Sequence, residues 1–168
     1  MVDILIIESI KDESFRTGLI HNLNVLGIEY SLQAVNCVGN YETDYTIING
    51  VNSDIKGDFK AAYCLVNADN SLESSINLFG NMITFGLSSK NTVTVSSIDG
   101  VSFVYCLQRY IGLNNSKVIE PQELPVYSNH KNDNELHAVM AAITIGLLEG
   151  LSASFIEKKL SEKILVLK

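Results

Sequence analysis

The sequence is short of basic charge. Twelve Lys and Arg stand against 19 Asp and Glu, a formal net charge of −7 over 168 residues. No basic stripe is present to neutralise the phosphates of a nucleic acid. Long apolar runs are also missing: none approaches the roughly 20 residues that a membrane span needs, and the start lacks the basic stretch of a signal peptide. Cysteine is sparse and odd in number. Cys37, Cys64 and Cys106 lie far apart in apolar runs, a pattern of reduced core thiols in a cytoplasmic protein rather than of a disulfide framework. CxxC, HExxH and glycine-rich phosphate fingerprints do not occur. The expectation is a cytoplasmic protein with no nucleic-acid or membrane partner.

What is present is a foldable chain. Apolar residues make up 46% and charged residues 18%, which separates it from disordered sequences. Its length suits one domain with a substantial core.

The stretch from Ala61 to Leu87 sets the organisation. An apolar run, Tyr63 to Val66, ends in a polar break, Asn67-Ala68-Asp69-Asn70. Leu72, Ile76 and Phe79 then follow at helical spacing, and a second apolar run, Met82 to Phe85, ends at Gly86. This order predicts strand, loop, helix, strand in a parallel α/β sheet, whose loops after strand ends hold ligands. Asp69 or Asn70 equally suits a turn that caps the helix.

Along the chain, Val2 to Ile7 predicts a buried strand, and Phe15, Leu19, Ile20, Leu23 and Leu26 a helix stopped by Gly27. The loop between them holds no glycine from Ile7 to Thr17 and places Glu8, Asp12 and Glu13 where a P-loop would hold phosphate. Such a loop is unsuited to a triphosphate. Ser31 to Val38, closed by Gly39-Asn40, and Tyr45 to Asn49 predict further strands. Asp54 follows a strand end, where a carboxylate can hold magnesium, but without a His or a close second carboxylate it reads as a turn residue. Thr92 to Ile98 and Val101 to Leu107 form a hairpin around Asp99-Gly100, and Leu124 to Tyr127 a short strand. A helix is predicted over Asn134 to Leu148, ended by Gly150, with His137 as a helix histidine rather than a ligand. A last helix starts at Ser154, paired with Glu157 as a capping box, and Ile164 to Leu167 suit an edge strand.

These residues resemble the central, ATP-binding domain of the Mur ligase family, with folylpolyglutamate synthetase as a relative. Asn67-Ala68-Asp69-Asn70 resembles the family's N-A-D-D, and Ile83-Thr84-Phe85-Gly86-Leu87 its v-T-F-G strand. The Asn134 to Ala142 segment resembles its H-N-x-x-N-A-x-A-A helix start, Leu147 to Leu151 the end of that helix, and Ile47 to Asp54 its T-N-I…D-H segment. The resemblance implies one domain over residues 1–168, with a parallel core of about 1–87 and 134–168 and an antiparallel excursion of about 91–128. The fold it implies is a three-layer α/β arrangement of P-loop NTPase type, with a mostly parallel sheet and flanking helices. Departures from the family pattern are equally specific. Glu8 to Ser14 replaces the G-T-x-G-K-T/S loop, Ile55 stands at the metal-associated His, and Asn134-Glu135 replaces the His-Asn pair. Ala138 replaces the second Asn, and the substrate-side segment shrinks to Ile55 to Lys60. The family's N-terminal and C-terminal substrate domains have no counterpart. The resemblance therefore implies a stand-alone, non-catalytic domain with no resident cofactor or metal and with a protein partner or a homodimer. Asn67, Asp69 and Asn134 are the candidates for a residual adenine-nucleotide site.

Overall fold

Residues 1–8, 13–35, 39–50, 55–70 and 75–165 are described by a computed structural model, without the side chains of Ser75 and residues 163–165. Cys37, Asp54, Leu72, Leu167 and the centre of the P-loop-equivalent segment, residues 9–12, lie outside the described residues. The strands are β1 (Val2–Glu8), β2 (Tyr30–Val35), β3 (Gly39–Asn49), β4 (Lys56–Asn67), β5 (Ser75–Phe85), β6 (Val93–Ser96), β7 (Ser102–Leu107), β8 (Ile111–Gly112), β9 (Val118–Ile119) and β10 (Gln122–Tyr127). The helices are α1 (Ser14–Leu26), α2 (Asp133–Leu148) and α3 (Ala153–Leu165). The chain is thus α/β, with mostly parallel long strands and an antiparallel addition, and it divides into two compact units: Met1–Glu13 with Glu29–Phe85, and Ser14–Ile28 with Gly86–Lys168.

In the first unit the strands run in the order β5-β4-β3-β1-β2, and neighbours are parallel. Their carboxyl halves are buried on both faces, as in Tyr45 to Asn49 and Tyr63 to Asn67. Apolar runs such as YTII and YCLV suit that environment. The connections constrain the shape of the strands. Gly39 pairs with Gly57, so the chain leaving Asn49 returns to the level of Gly39 through residues 50–56. Fully extended, that return reaches about 28 Å, whereas a straight β3 would span about 33 Å. β3, β4 and β5 must therefore bend. The ladder skips Asp44 and Ala62, and the register of β4 against β5 shifts between Lys60 and Tyr63. At that level Gly80 has φ +147°, and a Cβ on it would run into the Ala61 carbonyl oxygen. The bend folds the amino halves over the carboxyl halves. Phe59 joins Leu5, Ile7, Val35, Ile48 and Val66 in one apolar cluster, with Tyr41, Ile76 and Leu78 packed against it. Tyr41 stacks on Phe59 at 5.5 Å and Tyr45 on Tyr63 at 5.8 Å, each pair in register across β3 and β4.

Two expectations are corrected here. The helix expected from the spacing of Leu72, Ile76 and Phe79 is a strand, because residues 75–79 pair with β4 and present Ile76 and Leu78 to the apolar cluster. Gly39-Asn40 does not close a strand but opens β3.

Among the described residues, the three helices all belong to the second unit. α2 is apolar around its circumference, and Leu136 to Leu148 are buried throughout, His137 included. Its start is fixed by Asn132, whose side chain accepts the Glu135 N–H at 2.9 Å, while the Glu135 carboxylate accepts the Lys131 N–H at 2.8 Å. α1 packs on α2 closely enough that a Cβ on Gly18 would stand 3.0 Å from that of Ala138. β10, β7 and β6 form an antiparallel sheet in that order. Asp99 shapes the β6–β7 turn by accepting from the Ser102 N–H at 2.7 Å and its hydroxyl at 2.8 Å. α3 departs from expectation at both ends. Ser152, not Ser154, caps it, accepting the Phe155 N–H at 3.2 Å. Ile164 and Leu165 continue the helix instead of forming an edge strand. Among the described residues, no helix is long and apolar enough to cross a membrane.

Candidate functional site

Parallel strands expose unpaired backbone groups and loops at their carboxyl ends, where open α/β sheets hold ligands. In the first unit that edge is polar. Glu8 ends β1, Asn49 ends β3 and Asn67 ends β4, with Glu8 paired to Asn49 in the ladder and Ile48 to Val66 one step before. All three side chains are buried.

The asparagines form a connected network. Asn67 Nδ2 donates to Asn49 Oδ1 at 2.7 Å, and Asn70 Nδ2 donates to the same oxygen at 3.1 Å. Asn67 Oδ1 accepts the Asp69 N–H at 3.0 Å, an Asx turn that holds the Asn67 to Asn70 loop. The Ala68 N–H donates to the Phe85 carbonyl at 2.9 Å and ties the loop to the end of β5. Gly50, at φ +87°, lies close enough to Asn70 that a Cβ on it would stand 3.3 Å from the Asn70 Cβ. Asn67 is fully buried, so its amide braces the loop from beneath, and Asp69 is exposed above it. The arrangement offers neutral amides and carboxylates. Among the described residues, no group of three or more His, Cys, Asp or Glu side chains is placed to hold a metal ion.

No family model matches this chain, and no curated protein does.

Of the three residues named from the sequence, Asn67 and Asp69 come together in one loop of the first unit. Asn134 belongs to the second, half-buried in the first turn of α2. Asn49 is an addition that sequence reasoning missed, and Glu8, expected as an acidic residue of the loop after β1, is the last residue of that strand. The signal for Asn49 was available: YTII and CLV each run straight into an Asn, at Asn49 and Asn67, so two neighbouring strands end alike. Cys64, on β4, takes no part. Burial pushes its thiol up from the ordinary cysteine value, and its Sγ faces the Phe79 carbonyl at 3.9 Å.

Proposed function

We propose that the chain is a non-catalytic, Mur-ligase-like domain that acts as an accessory or protein-interaction module beside cell-wall (peptidoglycan-type) ligases, in the cytoplasm. The observation that carries this reading is the use made of Asn67. Its buried amide is committed to Asn49 and to the backbone of Asp69, so a ligand taking it over would break buried hydrogen bonds. The polar strand ends then act as scaffold. Acidic Glu8, Asp12 and Glu13, with no glycine from Ile7 to Thr17, agree with a loop that does not cradle triphosphate. Phe79 and Met82 on β5 are 51% and 57% exposed, apolar surface of the kind that a partner or a second copy covers. The three-layer, P-loop NTPase-like arrangement and the single Mur-type domain are part of this reading.

A second reading is favoured by exposed Asp69 beside Asn67: a regulatory protein that binds adenine nucleosides or monophosphates, phosphate outward. A thermal-shift titration with ATP–magnesium, ADP, AMP and adenosine separates the two. No shift at millimolar ligand supports the accessory module. A shift of several degrees, lost in Asn67→Ala/Asp69→Ala, overturns it in favour of the nucleotide reading. The partner element is tested by light scattering: self-association or retention of a ligase subunit, weakened by Phe79→Ser/Met82→Ser, is expected. A monomer at high micromolar concentration with no such retention would count against it.

A further inference from the structure

The ladder of the first unit has β2 at one side and β5 at the other. β2 exposes Ser31, Gln33 and Ala34, which are polar or small. β5 exposes Asn77 and the run Phe79 to Met82, with Ile76 and Leu78 turned onto the apolar cluster. It pairs with β4 along one edge, and among the described residues this exposure leaves the other edge of the stretch to solvent. An edge strand presents N–H and C=O groups to any chain that can match them, and charge, proline or brevity normally guards it. None of these protects β5, whose 11 residues, SINLFGNMITF, include no charged residue and no proline.

The sequence of that edge is its own complement. Antiparallel ladders alternate hydrogen-bonded and open pairs, so a two-fold axis between two copies has to set one residue opposite itself. An axis at Phe79 sets Phe79 on Phe79, Asn77 on Asn81, Leu78 on Gly80 and Ile76 on Met82 of the other copy. Aromatic meets aromatic, amide meets amide and apolar meets apolar. An axis one residue to either side sets Phe79 against an asparagine instead. Asn77 Nδ2 donates to Asp58 Oδ1 at 2.8 Å, and Asn81 Nδ2 to the Ala62 carbonyl at 3.1 Å. Both amides are thus held by β4 with an oxygen and a second N–H still to offer. We infer that two copies of this chain associate through β5, antiparallel and centred on Phe79, joining their ladders into one sheet. The inference rests on the interaction surface proposed above and names its occupant as a second copy.

Light scattering of the full chain at high micromolar concentration is expected to give a dimer mass. Phe79→Lys sets two like charges face to face and should raise the dissociation constant of the dimer about tenfold, with the circular dichroism spectrum unchanged. The register is read separately by disulfide trapping with oxidised glutathione. Non-reducing peptide mass spectrometry keeps the new thiols apart from Cys37, Cys64 and Cys106. Phe79→Cys should cross-link to itself. Asn77→Cys and Asn81→Cys should each stay unlinked alone, because four residues along the strand put the two copies of either thiol about 14 Å apart. Mixed together, these two variants should link. A dimer unmoved by Phe79→Lys, one in which Phe79→Cys fails to link, or one in which the mixture links no better than either variant alone would overturn the inference and leave the proposed function with a homodimer through another face. A monomer that retains a ligase subunit would overturn it while the accessory reading stands. A monomer with no such retention would overturn the inference and count against the proposed function as well.

Discussion

Replacing Gly80 with alanine tests the bend on which the first unit is built. Gly80 has φ +147°, a conformation reserved almost entirely for glycine, and an added Cβ would meet the Ala61 carbonyl oxygen of the neighbouring strand. The backbone term costs about 1–3 kcal/mol, and forcing an atom into a packed ladder costs about another 1–3 kcal/mol. Against these, the alanine restricts the unfolded chain and returns about 0.4–1 kcal/mol. The net loss is about 1–6 kcal/mol, and at about 2–4 °C per kcal/mol for a chain of this size the melting temperature should fall by at least about 2 °C. Gly100→Ala is the control. Its φ is +86°, yet no heavy atom lies within 4 Å of the added Cβ, so it should cost only the backbone term. Circular dichroism melts of both variants decide the matter. Equal melting temperatures would mean that β5 does not press on Ala61, and the bent-strand account would fall with them.

Three further outcomes are expected. Asn49→Ala removes the oxygen shared by Asn67 and Asn70 and leaves a buried amide without its acceptor, so urea unfolding should report a loss of about 1–3 kcal/mol; an unchanged midpoint would show that the network is not holding the loop. Burial pushes the Tyr105 hydroxyl well above the usual tyrosine value, with its 2.9 Å bond to Thr144 pulling the other way. Its proton is thus held more tightly in the folded state than in the unfolded one, and the stability this supplies is complete below about pH 10 and is lost as pH rises beyond it. Tyr105→Phe should therefore cost about 0.5–1.5 kcal/mol at neutral pH and flatten the alkaline decline in stability; an identical decline would refute the assignment to Tyr105. Iodoacetamide should leave Cys64 unlabelled in the native protein and label it in urea, read by peptide mass spectrometry, because the thiol is buried and its ionisation suppressed; rapid native labelling would contradict that packing.

Local pattern determined a good part of this protein. Leu19, Leu23 and Leu26 recur at helical spacing and form α1, up to the stop at Gly27. Asp99-Gly100 between two alternating runs makes the β6–β7 hairpin, because the turn satisfies its own backbone through Asp99. The run from Leu136 to Leu148 is long and apolar enough to be helix wherever it is placed. The pairing of Asn67 with Asp69 in a loop after an apolar strand could also be read from four consecutive residues.

Tertiary structure decided what depends on partners distant in the chain. Ile76 and Phe79 satisfy a helical period, but Ile76 and Leu78 also satisfy a strand period, and pairing with Lys56 to Lys60 over the apolar cluster selects the strand. Asn49 and Asn67 become one site only because β3 and β4 lie side by side, 18 residues apart in sequence. The bend near Gly80 comes from the same source: short connections between parallel strands leave no straight path, which no single segment reveals. Local periodicity names elements whose burial is settled within a few turns; ladder register, strand curvature and shared hydrogen-bond acceptors are properties of pairs, and they exist only once the chain has closed on itself.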